Sequence, residues 1–190
     1  INLTSCIIPN TVTSIHNYAF YNTTSLISII IPDSVISIGS GVFQNALNIV
    51  SISFTHNSQL TSIGSYAFYN ANNLNTIMIP FSVTTIGEEA FYGITRLSTI
   101  TIPSNVTRIG PRAFYGTGLT TVTFNGTTIP NNMLSNNVFP PISQNITLYH
   151  KEELTNDDID ILKQIFKYVT SHDLFLFDNS SYDVTPTTYV

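Results

Sequence analysis

The chain has 190 residues and a net charge of -5, with 43% hydrophobic but only 9% charged residues, far below the roughly 25% charged of ordinary soluble domains. Its polarity comes from Ser, Thr and Asn, which suit short strands and tight corners and argue against a helical solenoid. Residues 1–149 balance Asp33, Glu88 and Glu89 against Arg96, Arg108 and Arg112, so the acidic excess sits in 150–190. With no basic stripe to neutralise phosphates, nucleic-acid binding is not supported.

Taken from the N-terminus, the chain repeats. Phe20, Phe43, Phe68, Phe91 and Phe114 recur at intervals of 23, 25, 23 and 23 residues, in the segments TVTSIHNYAF, SVISIGSGVF, QLTSIGSYAF, SVTTIGEEAF and NVTRIGPRAF. A period of this length marks a solenoid, in which each coil contacts only its neighbours and function lies on a surface. The coil 97–114 serves as template. Leu97, Ile100 and Ile102 point inward on a first short strand, and Pro103, lacking an N–H, ends it at a corner. Val106 and Ile109 point inward on a second strand, and Gly110 is read as permitting the next bend. Ala113 and Phe114 close the coil in an expected short helical turn, the ring being the main core filler.

The first-strand slots hold Leu3, Cys6 and Ile8, and recur through Leu26, Ile29 and Ile31 to Leu119, Val122 and Phe124. Pro9, Pro32, Pro80 and Pro103 mark four of the corners. The coil around Phe54 instead has two extra residues, in THNSQ, and His16 stands where the other coils have glycine. The expected fold is a solenoid of short parallel strands in stacked coils of about 23 residues, with an α/β C-terminal cap.

After Phe124 the repeat is expected to fail. Residues 125–149 read as irregular loop followed by one more strand, NITLY, at 145–149. Residues 150–190 read as an acidic cap: a helix over about 157–169 with Thr155 as its N-cap, then a strand at 173–177 and a frayed end. The solenoid proper is therefore 1–124, five full coils plus a sixth strand. No apolar run reaches the ~18 residues of a membrane helix. The single Cys6 leaves no internal disulfide or multi-cysteine zinc site. The chain begins with Ile in mid-repeat, and is read as a piece of a longer protein.

These coils resemble the BspA-like, or Treponema-type, leucine-rich repeats, whose unit runs roughly LxxIxIPxxVxxIGxxAFxxCxxL. The resemblance covers residues 3–124 but departs at the family cysteine, here Thr23, Ala46, Ala71, Ile94 and Thr117. It implies a surface protein of the kind found in oral bacteria, treponemes and mucosal protozoa. It also implies adhesion to host cells, to matrix proteins such as fibronectin, or to other microbes.

Two candidate binding surfaces follow. On the face of the first strands, expected to be concave, one outward column runs Ser5, Ser28, Ser51, Thr76, Thr99, Thr121. The next runs Ile7, Ile30, Ser53, Met78, Thr101, Thr123. Six strands at about 4.8 Å span roughly 25 Å, small for a whole protein interface. This uncharged face suits a protein or a glycan, although Ser and Thr also simply favour strands. The second surface is the residue after each core phenylalanine: Tyr21, Tyr69, Tyr92 and Tyr115, with Gln44 breaking the run. Tyrosine suits interfaces, but rings packing on one another down the edge is the preferred account.

Nothing supports catalysis. Cys6 occupies a core slot and reads as a structural thiol. The histidines have no metal-ligand spacing, and no nucleophile elbow or phosphate loop occurs. No cofactor and no metal are expected. Six N-glycosylation sequons, beginning at Asn2, Asn22, Asn105, Asn125, Asn145 and Asn179, are about what composition gives by chance. The expectation is a non-enzymatic, surface or secreted protein-binding module without membrane insertion. The alternatives are an intracellular scaffold and, ranked last, an ice or crystalline-polysaccharide binder, because Ile7, Ile30 and Met78 interrupt the hydroxyl array.

Overall fold

The computed structural model describes residues 3–130, 133, 137–140, 146–150, 154–166 and 168–171. Each coil contributes one strand to each of two sides. The second strands are β1 (Ser14–Ile15), β3 (Ser37–Ile38), β5 (Ser62–Ile63), β7 (Thr85–Ile86) and β9 (Arg108–Ile109), and they form one parallel five-stranded sheet. The first strands are β2 (Ser28–Ile31), β4 (Ser51–Phe54) and β6 (Thr76–Ile77), followed by β8 (Thr99–Ile102) and β10 (Thr121–Phe124). Residue Ile7 of the first coil bridges to Ile30. Equivalent residues pair across neighbouring coils, Ser28 with Ser51 and Ser51 with Thr76, so the repeat interval and the sheet register are the same fact.

Among the described residues the third side has no strands. The segment expected to be a short helical turn is a run of tight turns with two left-handed residues per coil. Tyr18, Gly41, Tyr66, Glu89 and Arg112 have φ between 49° and 61°, and four positions later come Asn22, Asn45, Asn70, Gly93 and Gly116. Asn and Gly are the residues that visit this region at least cost. The tyrosines, Glu89 and Arg112 adopt it at a cost of about 1–2 kcal/mol each. What holds this side is a ladder from each coil to the next. Phe20 donates its N–H to Val42 O, Phe43 to Ala67 O, Phe68 to Ala90 O and Phe91 to Ala113 O, at 2.7–2.9 Å.

Gly110 and its equivalents lie at the bend between second strand and turn, but not for the sake of a left-handed backbone. None of Gly39, Gly64, Gly87 and Gly110 has a positive φ. A Cβ at Gly87 would lie 2.4 Å from Ser65 N, and one at Gly110 2.4 Å from Glu88 N, both backbone atoms of the preceding coil. These glycines set how closely coils stack. His16 fills that slot in the first described coil and is exposed.

The core is a phenylalanine stack. Rings Phe20, Phe43, Phe68, Phe91 and Phe114 lie face to face with centroids 5.0–5.6 Å apart. The stack runs on beyond Phe124, where the repeat was expected to fail. Phe139 stacks on Phe114 at 5.2 Å, and Phe114 N–H donates to Val138 O. Val138–Phe139 thus repeats the Ala–Phe pair 25 residues on, the interval that also separates Phe43 from Phe68. Phe166 closes the stack, tilted 60° to Phe139.

The C-terminal segment continues the first-strand side. Strand β11 (Thr147–His150) pairs with β10, and β12 (Tyr168–Ser171) pairs with β11, both parallel. Between them helix α1 spans Asn156–Leu162, shorter than the expected 157–169, and Val169 belongs to β12 instead. Thr155 caps the helix, accepting from Asp158 N–H while Asp158 accepts from Thr155 N–H, a capping box. Leu162 and Phe166 turn inward. The strand expected at 173–177 and the expected frayed end lie outside the described residues.

Candidate binding surface

The outward residues of the first strands alternate with buried ones, as a half-buried strand requires. Ile29, Ile52, Ile77 and Ile100 face the core, while Ser28, Ile30, Thr76, Met78, Thr99 and Thr101 are exposed. Ile7 is 92% exposed, Ile30 61% and Met78 51%. Of the other positions read as candidates, Ser5 and Ser53 are exposed, and Ser51, Thr121 and Thr123 are half-buried. The sequence reading missed a further column. In the LxxI stretch both middle residues face out, so Ile27 and Val50 are also exposed, side by side through a 2.8 Å bond from Val50 N–H to Ile27 O. The N-terminal half of this face therefore has apolar rails on either side of its serine column. Phe81, 68% exposed, stands at the corner three residues past Met78.

Hydroxyl groups differ by position in what they bond; on the first-strand side Thr120 Oγ1, just before β10, donates to Ser98 O of the preceding coil at 3.2 Å. Flanking the second strands, Thr107 Oγ1 donates to Thr84 O, Thr84 Oγ1 to Thr61 O and Thr61 Oγ1 to Ile36 O, at 3.1–3.3 Å. Ser14 and Ser37 bond each other at 3.0 Å. These hydroxyls fasten coil to coil. On the first-strand face the side chains of Ser28, Ser51, Ser53, Thr76, Thr99, Thr101, Thr121 and Thr123 make no hydrogen bond within the described residues. An unpaired hydroxyl covered by an apolar partner costs about 1–3 kcal/mol. This face therefore favours a partner that brings hydrogen-bonding groups of its own.

The tyrosine edge is a packed stack. Tyr69 and Tyr92 lie parallel with centroids 5.0 Å apart, and Tyr92 and Tyr115 follow at 5.8 Å. Faces turned toward neighbouring rings leave mainly edges and hydroxyls available. At the N-terminal end Tyr21 meets Tyr18 edge-on at 5.8 Å, and both are exposed. Beside this edge the buried Glu89 carboxylate accepts from the half-exposed Arg112 guanidinium. Burial, then the negative charges of Glu88 and Glu89, push the Tyr66 hydroxyl above its ordinary value near 10.0, with Arg112 opposing them.

Among the described residues no three His, Cys, Asp or Glu side chains converge on a common point. Cys6 is half-buried and packs against the core, and His16 and His56 are exposed on separate corners. No described helix is long and apolar enough to cross a membrane.

A family model described as the BspA type leucine-rich repeat region matches residues 1–120 and 61–172 with six copies. The chain belongs to the BspA-type leucine-rich repeat family. Among solved structures, the Treponema pallidum leucine-rich repeat protein is 21% identical with a TM-score of 0.68, covering 87% of this chain and 85% of that one. The pneumococcal vaccine antigen PcpA is 17% identical with a TM-score of 0.72, over 90% of this chain but 42% of PcpA. A leucine-rich cell surface protein from Faecalibacterium prausnitzii is 33% identical over 67% of this chain and 40% of its own, with a TM-score of 0.49. The BspA-type chain spans less than half the length of the last two. No curated protein matches it.

Proposed function

We propose that this chain is a non-enzymatic adhesion module, displayed at a cell surface, that binds protein partners such as matrix fibronectin through the face of its first strands. The observation that carries this reading is the set of unbonded hydroxyls beside exposed apolar side chains on the sheet β2-β4-β6. Hydroxyls flanking the second strands, and Thr120 just before β10, fasten the coils, whereas those of Ser28, Ser51, Ser53 and Thr76 in β2, β4 and β6 are unbonded and flanked by Ile7, Ile27, Ile30, Val50 and Met78. Exposed apolar side chains on a rigid sheet are what an interface core needs, since buried anchors dominate binding energy. Among similar structures, one is described as a leucine-rich cell surface protein and another as a vaccine antigen, which supports surface display. The test is antibody labelling of intact cells, beside saturable binding to immobilised fibronectin and to host-cell monolayers. Surface signal with saturable binding supports the proposal. Labelling only after permeabilisation overturns surface display and points to an intracellular scaffold.

A further inference from the structure

Strands β11 and β12 extend the first-strand face beyond the repeat array, and the chemistry changes there. Their register with β10 and β8 generates two outward columns. One runs Thr99, Thr121, Thr147, Tyr168, and the other Thr101, Thr123, Tyr149, Thr170. All eight outward positions carry a hydroxyl, and none is charged or aliphatic. The interruptions at Ile7, Ile30 and Met78 do not continue past β6. The residues between these positions, Ile100, Val122 and Leu148, are buried, so the eight side chains are presented on the outer side. The six threonine hydroxyls form no hydrogen bond within the described residues.

Density selects the class of ligand. At about 4.8 Å between strands and about 3.3 Å per residue, the eight positions fill roughly 14 by 7 Å. Protein interfaces supply about one hydrogen bond per 100–200 Å², so a protein laid here satisfies one or two of the six threonine hydroxyls and strands the rest. A chain of neutral sugar rings carries donors and acceptors at comparable density, and the two tyrosines offer amphipathic rings beside them. With no charge on the eight positions, no electrostatic term favours a sulfated or uronic polymer. The surface is an open sheet face, which suits the middle of an extended chain rather than a terminal sugar.

The geometry points to β8, β10, β11 and β12 as a second binding site, for a free neutral polysaccharide. It is distinct from the apolar protein-binding half in β2 to β6. The experiment titrates the full chain with cellohexaose, laminarihexaose and mannohexaose, and with a heparin hexasaccharide and free glucose as contrasts. The expected result is saturable binding of at least one neutral hexaose, unchanged between about 0.05 and about 0.5 M salt, with free glucose too weak to compete. Replacing Thr101→Val and Thr123→Val together keeps the β-branched shape while removing two hydroxyls, and is expected to weaken binding about tenfold or more. Thr101→Ser with Thr123→Ser restores most of it, and Thr85→Val in β7 changes nothing. An unchanged thermal midpoint certifies the fold of each variant. Failure of all three neutral hexaoses, a preference for heparin, or indifference to the valine pair each overturns the site. Fibronectin binding by the same valine variant shows whether the protein-binding reading stands independently.

Discussion

The substitution Phe91→Ala tests whether the aromatic stack holds the solenoid together. Phe91 is fully buried, with Phe68 at 5.0 Å and Phe114 at 5.1 Å on its two faces. Truncating such a phenylalanine costs about 3–5 kcal/mol. Two stacked pairs, each worth about 0.5–1.5 kcal/mol beyond area, place it at the upper end, about 5 kcal/mol. Phe20 has the same chemistry at the same slot but is only partly buried, with one stacked partner, Phe43 at 5.2 Å. Its loss is expected to cost about 2 kcal/mol by the same reasoning. In a chain of this size each kcal/mol moves the thermal midpoint about 2–4 °C, giving falls of about 10–20 °C and about 4–8 °C respectively. Circular dichroism melts of both variants read this directly. Equal shifts for Phe91→Ala and Phe20→Ala would refute the reasoning, because end and middle of the stack would then be equivalent.

Gly87→Ala drives a Cβ into the Ser65 backbone nitrogen and is expected to cost about 1–3 kcal/mol. A denaturant midpoint equal to wild type would contradict the close-stacking role of these glycines. The raised Tyr66 hydroxyl favours the neutral phenol in the folded state, so its stabilising effect is complete below pH 10 and is lost as pH rises through the folded value. Tyr66→Phe is expected to blunt alkaline destabilisation measured by melts above pH 10, and an unaltered pH profile would count against it. Deleting 150–190 removes α1, β12, Phe166 and the last residue of β11, uncovering the rest of β11 and Phe139. Aggregation seen by light scattering is expected, and a monomeric, equally stable truncation would rule out the cap.

How much of this was legible depended on whether a residue's role is set within its own coil or by the neighbouring one. Inward positions such as Ile29, Val35 and Phe43 follow from alternation and period alone, and all are buried. Gly110 does not, because its reason is the backbone of the preceding coil, 2.4 Å from where a Cβ would be. Likewise Thr84, Thr99 and Thr120 look alike in composition, yet Thr84 and Thr120, each just before a strand, bond a carbonyl of the preceding coil while Thr99, within a strand, does not. The second left-handed position did leave a readable trace, since Asn22, Asn45 and Asn70 give way to Gly93 and Gly116, the residue types that conformation tolerates. Val138–Phe139 was hidden because the 25 residues from Phe114 run through an Asn- and Pro-rich stretch that lacks the VxxIG wording of the other coils. The extent of α1 was overestimated because Ile165, Phe166 and Val169 keep a helical spacing while the chain has already left the helix at Lys163.

The most direct test of the central claim sets one face against the other. Ile30→Glu with Met78→Glu charges the first-strand face, and Thr61→Glu with Thr84→Glu charges the second-strand side, all four positions being exposed. Binding of each to immobilised fibronectin and to host-cell monolayers is compared with that of the unaltered chain. Loss of saturable binding by the first pair and retention by the second is the predicted result. Retention by the first pair, or no saturable binding by the unaltered chain, would contradict the assignment of the first-strand face as the adhesive surface.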